Sequence, residues 1–186
     1  TVQAIYRVTF NRLRRAMGNL PHELPYQLEL RRLAAPYFHS RLDGGEGDML
    51  IGKAIWAHQK KKAHMICELS PYSCMPNTMS IGAMAGVIGQ YPDLLYAPLE
   101  IKGDAEVHAL SRCQMILTEA KKRAQREFDE TLARTGLTVD DVQAYLHAHP
   151  EMRKATYKIP HDGTAAGTAA KTLLHLAQKM GRAVAA

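Results

Sequence analysis

The chain is poor in cysteine and in aromatic side chains. It holds three cysteines, one tryptophan and 6% aromatic residues in 186. An odd cysteine count, with no signal-peptide pattern visible, argues against a disulfide framework and leaves reduced thiols or metal ligands. Long apolar runs are also missing. The longest, Met79 to Ile88, is diluted by glycine and alanine and is too short to span a bilayer, so no membrane association is expected. Neither a Walker A sequence nor a Gly-x-Gly-x-x-Gly following a strand occurs, which removes the common nucleotide-binding signatures. Gly-x-Ser-x-Gly is absent, no Ser-His-Asp set suggests itself, and no histidine forms a zinc pattern with the cysteines.

What is present is an ordinary globular balance, with 46% hydrophobic and 23% charged residues. The net charge is +6 and the pI about 9.3. The basic residues are spread over several helices. The one run, Lys60-Lys61-Lys62, reads as a solvated helix end that offsets the negative end of the helix dipole. No aromatic side chains interleave with basic ones, so a nucleic-acid partner is not expected. An anionic ligand such as coenzyme A or a nucleotide accounts for the charge equally well.

The pattern along the chain is α/β. Residues 2–18, about 26–42 (interrupted at Pro36) and 48–60 read as helices, with a glycine-rich loop at 43–47. The short apolar stretch 64–69 reads as a buried strand, and 70–76, with two prolines, as a loop. Asn77 is expected to cap a helix over 78–89, and 94–101 to form a second strand whose end is marked by Pro98. Gly103-Asp104 is expected to cap a long helix over 105–134. Thr138-Val139-Asp140-Asp141 resembles a capping box opening a helix to His147, and Thr164 is expected to start a last helix reaching Met180. The expectation is a single α/β domain with helices over 1–62, a parallel β-α-β-α unit of Rossmann or flavodoxin-like type within 63–135, and a helical tail over 136–186. Ligands of such sheets sit beyond the carboxyl ends of the strands, so the loop at 70–77 and the turn at 100–104 should face the same side.

Two cysteines attract chemistry. Cys74 lies in the loop Ser70-Pro71-Tyr72-Ser73-Cys74-Met75-Pro76-Asn77, which opens a helix, where exposed N–H groups favour a thiolate. That suits a cluster ligand and equally a redox or nucleophilic cysteine. Cys67, seven residues earlier, is either a second ligand or a buried small hydrophobe in a strand, and Cys113 reads as core packing. Gly45 and Gly47 are weak candidates for binding phosphate, against the plainer role of an interhelical turn. Lys102 and Gly103 are candidates because their turn should face the Cys74 loop. The small residues from His161 to Thr168 suit either an anion at a helix start or close helix packing.

These motifs, in this order, resemble a known family. Gly45-Glu46-Gly47, Leu50-Ile51-Gly52, Cys67, Pro71-Tyr72-Ser73-Cys74-Met75-Pro76-Asn77, Tyr91-Pro92, Gly103-Asp104-Ala105-Glu106-Val107 and Arg112 recur in the C-terminal parts of the acyl-CoA dehydratase activase-related proteins, which are similar to 2-hydroxyacyl-CoA dehydratase subunits. The resemblance covers about residues 44–120. The family commonly carries Phe-Gly where this chain has Tyr72-Ser73, which adds a side chain where glycine is usual. The resemblance implies a cytoplasmic iron–sulfur protein of low-potential electron transfer, of which this chain is a C-terminal fragment. Its partner would be an upstream ATP-dependent activase domain or subunit, and an acyl-CoA a candidate ligand. In the related systems one electron passed to a [4Fe–4S] component lets water leave a 2-hydroxyacyl-CoA. Cys74, and with it Cys67, would ligate the cluster in the full-length protein, leaving it absent or incomplete in this fragment, since two cysteines cannot complete a four-thiolate site. The competing readings are a non-catalytic interaction domain and a thiol enzyme using Cys74 with His64, His108 or His161 as its base.

Overall fold

Apolar residues at helical spacing give seven α-helices among the described residues, which in this computed structural model are 2–18, 21–42, 45–103, 106–161, 163–182 and 184. In chain order the helices are α1 (Val2–Ala16), α2 (Gln27–Ala34), α3 (Gly47–Gln59), α4 (Met75–Gln90), α5 (Glu106–Thr135), α6 (Val139–Ala148) and α7 (Thr168–Lys179). The strands β1 (Ile66–Pro71) and β2 (Tyr96–Ile101) pair in parallel, Ile66 with Tyr96 through Pro71 with Ile101, and α4 connects them. The protein is thus mixed α/β and mostly helical. Its sheet has two strands among the described residues, against the several of a doubly wound fold. No described helix is long and apolar enough to cross a membrane.

The chain folds as two compact units. One comprises 1–25, 128–162 and 168–186, the other 26–127 and 163–167. The division follows the apolar side chains, which gather into two clusters. In the second unit Ala34, Phe38, Ile51, Ala54, Ile55, Met84, Val87 and Leu94 bury together from α2, α3, α4 and the approach to β2. In the first, Leu137, Leu173, Leu176 and Ala177 form the centre, with Phe128, Leu132, Val142 and Tyr145 packed against them.

Several boundaries differ from expectation for identifiable reasons. Asn77 does not cap α4. Pro76 fits the first turn of a helix, where a missing N–H costs nothing, so the helix starts three residues earlier and Cys74 becomes its N-cap. The last helix starts at Thr168 rather than Thr164, because the amides of Ala166 and Gly167 are bonded to a side chain and not to a helical ladder. The capping box at Thr138 forms as its sequence suggests: Thr138 Oγ1 accepts from the Asp141 amide at 3.1 Å, and Asp141 Oδ2 from the Thr138 amide at 3.0 Å. The expected cap Asp104 lies outside the described residues.

The closest packing in the second unit is between α2 and α3. A Cβ added at Gly52 would lie 2.1 Å from the carbonyl oxygen of Leu30, a backbone atom that cannot swing away. Gly82, midway along α4, has open space around it. We expect Gly52→Ala to cost about 1–3 kcal/mol or more, and Gly82→Ala to stabilise by roughly 0.5–1 kcal/mol through the lost flexibility of glycine in a helix. Urea denaturation of the two variants checks this, and equal midpoints would remove the backbone contact as the constraint.

Candidate functional site

The carboxyl ends of β1 and β2 lie side by side because the strands are parallel and in register. The ladder runs one residue further, the Tyr72 amide donating to the Ile101 carbonyl at 3.1 Å. Beyond it the chain turns through Ser73, whose φ is +60°. Cys74 follows in an extended conformation, its amide donating to Pro71 O and its carbonyl accepting from Thr78. The thiol of Cys74 is half-buried at the start of α4 and makes no capping hydrogen bond. First-turn amides of α4 are therefore directed to the end of the helix that carries this sulfur.

Two other segments reach the same rim. The ammonium of Lys102, just after β2, lies over the Tyr72 ring at 5.3 Å. Gly45, with φ +61°, packs so closely that a Cβ there would sit 3.0 Å from Pro76 Cγ. The structure therefore gathers Tyr72, Cys74, Pro76, Lys102 and Gly45. Gly103 follows Lys102 with open space around it. Gly47 has a packing role: a Cβ there would meet the Phe38 ring at 2.7 Å.

Cys67 is not drawn to this rim. It is the second residue of β1, four residues and roughly 13 Å of extended strand before Pro71. It is exposed, so it is not the buried packing residue that its strand position suggests. It shares a sheet face with Leu69, Ala97 and Leu99, and the thiol near it is Cys113. Partial burial, and after it the neighbouring Cys113, push the Cys67 thiol up, which disfavours the thiolate that a ligand needs. His64 is at the opposite end of β1 from Cys74, roughly 20 Å of strand away, and its Nε2 contacts Glu127 Oε2 at 2.9 Å. Among the described residues no group of three or more His, Cys, Asp or Glu side chains could hold a metal ion.

A buried polar cluster beneath the sheet was not anticipated. Glu68 on β1 is 8% exposed. Its Oε1 accepts from Asn77 Nδ2 at 3.0 Å and from Ser80 Oγ at 2.6 Å, and its Oε2 accepts from the Tyr96 hydroxyl at 2.6 Å. Burial first, then Glu68 as hydrogen-bond partner and negative neighbour, raise the Tyr96 phenol far above its ordinary value. Two residues along the same face, the Ser70 hydroxyl is buried with no hydrogen-bond partner. The sequence hint was a glutamate at the centre of an otherwise apolar strand pattern, 66–69.

The segment of small residues considered for anion binding already holds an anion, the carboxylate of Glu127. Its Oε1 accepts from the Ala166 amide at 2.8 Å and its Oε2 from the Gly167 amide at 2.7 Å. A side chain at Gly167 would collide with that carboxylate, 2.9 Å from the position of its Cβ. Burial alone would raise the Glu127 pKa, but the two amides, and His64 after them, hold it below the ordinary 4.5.

Comparison with protein-family models, curated protein sequences and solved structures finds no match to this chain.

Two expectations follow from this geometry. A non-glycine residue in the left-handed region costs about 1–2 kcal/mol. Ser73→Gly should therefore stabilise by up to about 1 kcal/mol, the gain being partly offset by glycine's entropy, whereas Ser73→Val should destabilise. Chemical denaturation distinguishes this from a relaxed turn, in which glycine would only weaken the fold. The second concerns acid. Folding favours ionised Glu127, so its stabilisation is complete above the ordinary pKa and is lost as pH falls through the lower folded value. Glu127→Gln should be less stable at neutral pH and lose less stability on acidification. Urea midpoints measured from neutral pH downwards test both limbs, and parallel curves would contradict the assignment.

Proposed function

We propose that the chain is part of an iron–sulfur, low-potential electron-transfer protein of the 2-hydroxyacyl-CoA dehydratase kind, in which Cys74 supplies one thiolate to a [4Fe–4S] cluster. The observation that carries this reading is the place of Cys74. It stands at the carboxyl end of a parallel strand, at the N-cap of a 16-residue helix, with its sulfur partly open to solvent. Amide groups at that end favour the charged sulfur a cluster requires. Pro71 and Pro76 on either side restrict the loop.

The donor set fits such a group only in part. With Cys67 set back along β1 and near Cys113, this chain offers one well-placed thiolate, and the other ligands must come from outside the described residues: a further segment, another subunit, water or substrate. When bound, the cluster would supply single-electron transfer. The chain's own contribution is to hold a deprotonated sulfur at the rim and to place the Lys102 cation, with the open backbone at Gly103, beside it for an anionic acyl-CoA. The two-stranded sheet supports the same reading. Parallel sheets are normally covered on both faces and wider than two strands, and here Leu69 is 65% exposed on the face shared with Cys67. A Rossmann-like sheet completed by an ATP-dependent activase component or by further dehydratase sequence would cover it.

That exposed face also favours a second reading, an interaction module without chemistry, since Leu69, Tyr72, Met75 and Ile101 are all exposed. Iron separates the two. The longest natural form containing this chain, reconstituted anaerobically with iron and sulfide, should bind both. Cys74→Ser should lose at least about half of that iron, because one of four ligands is removed, while Cys113→Ser should not. Unchanged iron in Cys74→Ser rejects the proposal, and no iron in any form leaves the interaction module.

A further inference from the structure

The first unit contains a cavity that the Cys74 site does not use. Its volume is about 390 Å³, within the roughly 300–1,000 Å³ typical of small-molecule sites. Three stretches of this one unit converge on it: Arg14 of α1 with Pro21 to Glu23 just after that helix, Ala155 to His161, and the first turn of α7 with Thr168 and Lys171.

Its lining is cationic. Among the described residues the lining carries Arg14, Lys158 and Lys171 and one carboxylate, that of Glu23. The Nε of Arg14 donates to Pro21 O at 2.7 Å. That bond fixes the side chain and leaves its terminal guanidinium nitrogens, which have no protein partner among the described residues, as the fork available to a ligand. Lys158 is exposed at the mouth and makes no ion pair among the described residues. Lys171 is 9% exposed, a degree of burial that lysine accepts only in polar company. The His22 and His161 rings pack edge to face in the same wall, with centroids 5.8 Å apart. A planar cationic fork on Arg14 and an exposed ammonium on Lys158 around a polar hollow is a donor set that recognises a phosphoryl group, whose charge at neutral pH is near −2.

We infer that this cavity binds a phosphoryl group, either as free phosphate or on a small phosphomonoester. The inference is independent of Cys74 and of any cluster. It is tested on the full chain by calorimetric titration with phenyl phosphate, with inorganic phosphate and with neutral benzyl alcohol. Phenyl phosphate should bind and benzyl alcohol should not. Tighter binding of phenyl phosphate than of phosphate assigns a phosphoester, and equal binding assigns the free ion. Lys158→Glu, at an exposed position that folding does not depend on, should weaken binding about tenfold to a hundredfold, as expected for one charge-assisted bond, and Arg14→Gln should act in the same direction. The inference is overturned by the absence of heat with both phenyl phosphate and inorganic phosphate at millimolar concentration, by equal binding of benzyl alcohol, or by an unchanged dissociation constant in both variants.

Discussion

A carboxylate beneath a strand must find donors or it destabilises the fold it sits in. Glu68 finds three, and they come from different elements: Asn77 and Ser80 on α4 and Tyr96 on β2. The crossover helix and both strands are thereby tied to one buried carboxyl group. Removing the carboxylate would leave the Asn77 amide and the Tyr96 hydroxyl without this acceptor, each costing about 1–3 kcal/mol, while the Ser80 hydroxyl keeps the Asn77 carbonyl. The register of the sheet and the starting point of α4 both depend on this knot. Asn77 reaches Glu68 from inside the first turn of the helix. With Asn77 drawn inward, Cys74 takes the N-cap position and the rim acquires its sulfur.

The second unit has a further anchor of the same kind. Glu127 holds the Ala166 and Gly167 amides and His64. Here too a carboxylate satisfies donors that are remote in sequence, and the result is again local: a helix start delayed to Thr168. Both cases show buried or half-buried acids organising the backbone of a basic protein. The net charge of +6 therefore understates how much of the chain's acidic charge is already engaged. Cations mark both candidate surfaces. Lys102 sits at the rim of the sheet, and Arg14, Lys158 and Lys171 surround the cavity of the other unit.

Sequence determined the features that rest on near neighbours. The capping box at Thr138 needs only Asp141 three residues on, and it forms. The alternation of short apolar stretches and helix-length segments over 64–134 implied two parallel strands with their loops on one side, and Lys102 stands over Tyr72 accordingly. The loop at Cys74 was legible because proline, a small polar residue and a helix start are written consecutively. That the backbone takes a left-handed φ at Ser73 was not legible in this way.

Tertiary structure alone decided what depends on residues far apart in the chain. It assigned Asn77 to Glu68, exposed Cys67 and set it near Cys113, and divided the chain into two units by separating its apolar clusters. It placed Arg14 and Lys171, 157 positions apart, in the wall of one cavity. No periodicity or motif encodes such pairings, because hydrogen bonds between side chains and the shape of a cavity act through space. The sequence names the groups able to take part, and burial decides which of them meet.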